Sequence, residues 1–140
     1  MPDAPPLAGI VETALYVADL PVARHFYARL LGLDLLHEDE RMCAFEAGAR
    51  SVLLLFPQGG ATETVHLPDG SIPPHDARGR QHIAFAIGLE DMSRWEAHLL
   101  AHGIAIEGRA RWPRGGRSLF FRDPDGHLLE VATPGLWTTY

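Results

Sequence analysis

The chain has 140 residues, with 12 Lys and Arg against 18 Asp and Glu, a formal charge of −6 with histidine neutral. That length suits one domain with a real core, and the acidic balance argues against a nucleic-acid partner, whose phosphates favour a basic face. No apolar run is long enough to cross a bilayer, and the start, MPDAPPLAG, offers no basic or apolar leader. The single cysteine, Cys43, excludes an internal disulfide and a cysteine-based zinc site. A reduced, cytoplasmic setting is expected. Eight histidines are more than this length leads one to expect, and they raise the question of a metal.

In chain order, Ile10 to Val17 alternates, with Glu12, Ala14 and Tyr16 on one face and Leu15 and Val17 on the other. It reads as a strand. Asp19 is a helix N-cap with Pro21 in the first turn. Val22, Phe26, Leu30 and Leu31 predict the buried stripe, and Gly32 the stop. Strands are predicted at Leu33–Glu38, Met42–Glu46 and Ser51–Phe56. Residues 57–80 lack periodicity and read as a long loop, either functional or a plain linker. Gln81–Gly88 is a strand. Glu90–His102 is a helix with a stripe of Met92, Trp95, Leu99 and Leu100. Strands are then predicted at Ile104–Glu107, Arg117–Arg122 and His127–Ala132, with Asp123-Pro124-Asp125-Gly126 as a turn.

The chain repeats itself. VETALYVADL (11–20) and QHIAFAIGLE (81–90) overlay without a gap, and each leads into a glycine-closed helix and three strands. The expected fold is α+β: two βαβββ modules, at about 9–57 and 81–134, joined by the loop 58–80. Neither module would bury enough surface alone. Pairing them gives a curved mixed sheet with helices on its convex side.

In this register Glu12 matches His82. His82 shares its strand face with small Ala84 and Ala86, which leave room for a ligand, and Glu12 has Ala14 and Tyr16 beside it on the same pattern. Glu130 lies inside the apolar strand HLLEVA. Carboxylate and imidazole groups on such faces are costly unless paired or bound to a cation. Two Glu and one His could hold a divalent ion, Mn²⁺, Fe²⁺, Mg²⁺ or Zn²⁺, and leave positions open for substrate. The bland reading is that the carboxylates pair with Arg or backbone and His82 hydrogen-bonds in the core.

Three stretches, FYARLLGL (26–33), QHIAF (81–85) and RSLFFRDPDGHLLEV (117–131), resemble the vicinal oxygen chelate superfamily. Its members include glyoxalase I, bleomycin-resistance proteins, fosfomycin-resistance proteins and extradiol ring-cleaving dioxygenases. The likeness spans about Ile10 to Pro134, with DPDGHLLEV its most specific part. It implies the paired βαβββ fold, often completed between two chains of a homodimer. It also implies a divalent metal on Glu12, His82 and Glu130, although His is more usual where Glu12 stands. The glyoxalase I pattern adds a fourth ligand on the last strand of the first module, and SVLLLF (51–56) has none. The fosfomycin-resistance pattern has Ser and Tyr before the DPDG turn; here these are Ser118 and Phe120. Extradiol dioxygenases add an acid–base His and Tyr, for which Tyr16, His66 and His75 are candidates by side-chain chemistry.

Arg117 could bind an anionic substrate group or pair with a carboxylate. Tyr16, His75 and Arg117 are thus the candidate catalytic residues. His25, His98 and His102 read as surface positions, His127 as exposed, Trp95 as core and Cys43 as a small buried residue. Trp112 and Trp137 could line a pocket or a subunit contact. The expected function is a metal-dependent enzyme that chelates neighbouring oxygens of a small substrate, with dioxygenase-like or lyase/isomerase chemistry. The alternative is a metal-free drug-binding protein of the bleomycin-resistance type.

Overall fold

The computed structural model describes residues 3–140. Its first module runs β1 (Glu12–Val17), α1 (Leu20–His25), β2 (Leu35–Glu38), β3 (Cys43–Glu46) and β4 (Val52–Pro57). A hairpin of β5 (Val65–Leu67) and β6 (Gly70–Ile72) follows. The second module runs β7 (His82–Ala86), α2 (Met92–Ala101), β8 (Gly108–Arg111), β9 (Arg117–Arg122) and β10 (Leu128–Ala132). The two four-stranded sheets have the same plan, β1-β4-β3-β2 and β7-β10-β9-β8. In each, the first and last strands pair in parallel and the others antiparallel. The repeat seen in sequence is therefore a repeat of topology.

Strand register extends that equivalence. Ala14 lies opposite Leu54, and Ala84 lies opposite Glu130. Leu54 is thus the first module's counterpart of Glu130, as Glu12 is of His82.

The curved sheet is built in two parts rather than as one ladder. The modules share one core. Leu15, Val17, Tyr27, Phe45 and Leu55 join Met92, Leu99, Phe121, Leu129 and Val131 in a single buried cluster. At the seam, His127 Nε2 lies 2.8 Å from the Tyr16 carbonyl, while the Gln81 N–H donates to His127 Nδ1 at 2.9 Å. A carbonyl can only accept, so this ring carries its proton on Nε2. The Ala18 N–H donates to Asp125 Oδ1, and the Tyr27 hydroxyl to Asp123 Oδ2 at 2.7 Å. Burial, with Asp123 next to it, pushes the Tyr27 phenol well above its usual range. Tyr27→Phe is expected to cost about 1–3 kcal/mol, because it strips a donor from a buried carboxylate. Urea unfolding measures this, and an unchanged midpoint would refute it.

Several expectations are corrected. In α1 the N-cap is as read, with Asp19 Oδ1 accepting the Val22 N–H at 3.1 Å. Leu30 is buried as predicted and Phe26 and Leu31 pack partly buried against the core, but the other fully buried positions are Ala23 and Tyr27, and Val22 is exposed. The helix widens to a π-turn over Phe26–Leu30, which an α-helical phase does not foresee. In α2, Met92 and Leu99 are buried while Leu100 faces out. The third-last strand is 108–111 rather than 104–107, because the Trp112–Gly116 turn sets its pairing with β9. Residues 57–80 hold a hairpin around Pro68-Asp69. His127 is fully buried, not exposed: Asp123 Oδ1 accepts the N–H groups of Asp125 and His127 and folds the chain back into the seam. His98 is half-buried, its Nε2 on the Leu30 carbonyl. Cys43 is buried as expected, and burial pushes its thiol up.

Candidate functional site

The face of the second sheet that turns away from the core carries His82, Glu130 and Ser118. His82 Nδ1 lies 2.8 Å from the Leu128 carbonyl. It must therefore be the protonated nitrogen, which leaves the Nε2 lone pair of the neutral ring free. Nε2 faces Glu130 Oε1 at 3.3 Å. Two acceptors at this distance repel unless a proton or a cation lies between them. Ligands about 2.1 Å from one metal and 90–110° apart lie about 3.0–3.4 Å from each other, so the spacing fits a shared ion. Glu130 is 5% exposed, yet its protein donor is one hydroxyl: Ser118 Oγ donates to Oε2 at 2.5 Å. Ser118 in turn accepts the Trp112 indole N–H at 2.8 Å. Trp112, which sequence left between pocket and subunit contact, thus anchors this chain of donors. Strand alternation from Glu130's partner strand was the available signal, since it puts Ser118 and Phe120 on the carboxylate's face.

The first sheet's outward face carries a second group. The Tyr16 hydroxyl lies 2.6 Å from His75 Nδ1. Phe56 packs on both rings, with centroids 6.0 Å from Tyr16 and 4.7 Å from His75. His75 lines a cavity of about 460 Å³ together with Glu12, Arg41, Leu54, Phe56 and Ile72. Its place is fixed by the loop, since its N–H donates to the Ala61 carbonyl and Asp76 accepts the Gly59 N–H.

The structure therefore brings together His82 with Glu130, and Tyr16 with His75. Glu12 is exposed on the first sheet, and among the described residues no three His, Cys, Asp or Glu side chains of one chain converge on a metal position. Arg117 lies on the opposite face of β9 from Ser118 and borders a different hollow, with Arg109 and Arg111. His66 is exposed on β5.

This architecture and donor set define a class. The chain belongs to the Glyoxalase/Bleomycin resistance protein/Dioxygenase superfamily, whose pattern matches residues 9–131. Among its relatives is the metallothiol transferase FosB of Staphylococcus epidermidis, 31% identical over 131 residues, 93% of this chain and 86% of that protein. FosB of Bacillus licheniformis is 29% identical over 128 residues, covering 91% of this chain and 76% of that protein. The crystal structure of a lactoylglutathione lyase from Agrobacterium tumefaciens superposes with a TM-score of 0.86 at 33% identity, covering 96% of this chain and 99% of the other. No helix is long and apolar enough to cross a membrane among the described residues.

Proposed function

We propose that this protein is a divalent-metal-dependent enzyme that acts on a small molecule with neighbouring oxygen atoms, by lyase or transferase chemistry. We further propose that it works as a homodimer, in which Glu12 of one copy completes the His82–Glu130 pair of the other. The observation that carries this reading is the 3.3 Å approach of His82 Nε2 to Glu130 Oε1, with His82 Nδ1 already committed to backbone. The relatives named as a thiol transferase and a lyase favour those chemistries over the dioxygenase-like one. The exposed face of the first sheet, with Glu12 on it, supplies the missing acidic ligand once a second copy covers the site.

The chain's own residues set up the centre. The Leu128 carbonyl holds the imidazole in its metal-binding tautomer. Ser118 binds Glu130 Oε2 and leaves Oε1 for an ion. Trp112 fixes the Ser118 hydroxyl so that it donates toward the carboxylate. When bound, a divalent ion would act as a Lewis acid toward substrate oxygens. Mn²⁺, Fe²⁺, Zn²⁺ and Mg²⁺ all accept this His and carboxylate set.

Light scattering at micromolar concentration is expected to give a dimer, and metal analysis about one ion per chain. Glu12→Gln should lower the metal content while the dimer persists. A monomer that takes up no metal would replace this reading with the metal-free drug-binding alternative.

A further inference from the structure

We infer that the hollow beside α2, on the helix side of the second sheet, is a binding site for a dianionic phosphoryl group, carried by inorganic phosphate or a small phosphate ester. Arg111 and Arg117 receive the charge, and Arg109, paired with Glu96, closes one side. Strand parity turns these arginines away from the face that carries Ser118 and Glu130. The site therefore stands apart from the proposed metal centre and does not depend on it.

Three observations carry the assignment. First, positive charge is concentrated here against the trend of the chain. Residues 109–117 read RARWPRGGR and hold four of the 12 basic side chains, in a molecule with a formal charge of −6. Second, the strand register sets two of those charges side by side. β8 and β9 pair Arg111 with Arg117, and Arg109 with Leu119. The Trp112 N–H donates to the Gly116 carbonyl, which makes Arg111 and Arg117 the neighbouring non-hydrogen-bonded pair, the kind whose side chains lie closer. Like charges directly opposite each other destabilise a sheet. Acidic side chains outnumber basic ones in this chain, yet among the described residues none lies within ion-pair distance of Arg111 or Arg117. Glu96, the carboxylate that borders the hollow, is taken by Arg109, whose Nε and Nη2 reach its Oε1 at 3.1 and 2.5 Å. Three guanidinium groups thus face one carboxylate. An anion between the two unpaired groups removes their repulsion and accepts charge-assisted hydrogen bonds, and the planar guanidinium fork matches phosphate oxygens. Third, the surface is concave where the charges meet. The hollow measures about 330 Å³, at the lower end of small-molecule sites. Met92 and Leu119 line it and belong to the buried core, which gives it a fixed floor. Sequence left Arg117 between an anionic ligand and a carboxylate partner, and the lack of a carboxylate favours the ligand.

The test uses the full chain, treated with a chelator and desalted, so that phosphate held by a metal ion does not contribute. Isothermal titration calorimetry with inorganic phosphate and with glycerol 3-phosphate is expected to show one site per chain, and with glycerol none. Either order of affinity between the two phosphates supports the site; tighter glycerol 3-phosphate identifies an ester as the ligand, and equal or tighter phosphate the free ion. Arg111→Gln and Arg117→Gln should each weaken binding about tenfold or more, as expected for loss of a charge-assisted hydrogen bond. Both positions are exposed, so the variants should fold. Arg50→Gln, which removes an exposed charge from the first module, should bind as the wild type does. Nitrogen NMR should show the Nε–H signals of Arg111 and Arg117 shifting as phosphate is added, while that of Arg50 stays in place. Equal binding by wild type and a folded Arg111→Gln protein would overturn the assignment. So would an equal loss in Arg50→Gln, which would mean a diffuse attraction of anions and no built site.

Discussion

His82→Ala is expected to leave the protein folded and metal-poor, with divalent-ion affinity down by more than about 100-fold. Loss of a partner that merely orients a ligand costs roughly 10- to 100-fold, and on the proposed reading this substitution removes the ligand itself. Glu130→Gln should act alike, since the amide keeps the shape but loses the charge that faces His82 Nε2 at 3.3 Å. Ser118→Ala should fall in the milder class, about tenfold, because it frees Glu130 Oε2 from its hydroxyl donor. A thermal readout gives an independent measure. Free metal at 100 times Kd stabilises a protein by about 2.7 kcal/mol, roughly a 10 °C rise in Tm for a chain of this size. Wild type should show that rise with Mn²⁺ or Zn²⁺, and His82→Ala should not. An equal rise in both would place the ion elsewhere.

The second large effect concerns the seam. His127→Ala is expected to destabilise by about 3–5 kcal/mol, a large share of the stability of a single domain. The side chain is fully buried, and its two nitrogens tie the Gln81 N–H to the Tyr16 carbonyl. The substitution leaves both backbone groups unpaired and opens a cavity. Urea unfolding should show the loss as a lower midpoint with a similar slope. His127→Gln, which keeps one donor and one acceptor, should recover part of it. A change below about 1 kcal/mol for His127→Ala would mean that the seam relaxes or admits water in place of the ring.

What could be read from the sequence had a local cause. The helices and the strand faces of Glu12 and His82 depend on residues two to four apart, while the repeat shows as a direct likeness of 11–20 to 81–90. Glu130 stood out because a carboxylate interrupts an apolar strand. Contacts between residues far apart along the chain leave no such local mark. His127 follows a turn and so reads as exposed, yet the Asp123 carboxylate draws it inward to partners 46 and 111 residues away. Tyr16 and His75 are 59 residues apart, and the hydrogen bonds of the intervening loop set their meeting. In α1 the departure is at Val22, apolar yet exposed, where small Ala23 packs instead, and at Phe26, beside which Tyr27 is the fully buried ring. Arg117 was a candidate by charge alone, and strand parity sends it to the other face.

The pairing of Leu54 with Ala14, where the second module pairs Glu130 with Ala84, has a further meaning. A duplicated fold starts with twin halves, and twin halves offer a metal two matched pairs of ligand positions. Here one position of the four is hydrocarbon. An ion held from the other three would keep a vacant side, and that side opens beside the cavity that Leu54 itself lines. On the proposed reading, departure from internal symmetry would turn a closed structural metal position into one that a substrate can reach.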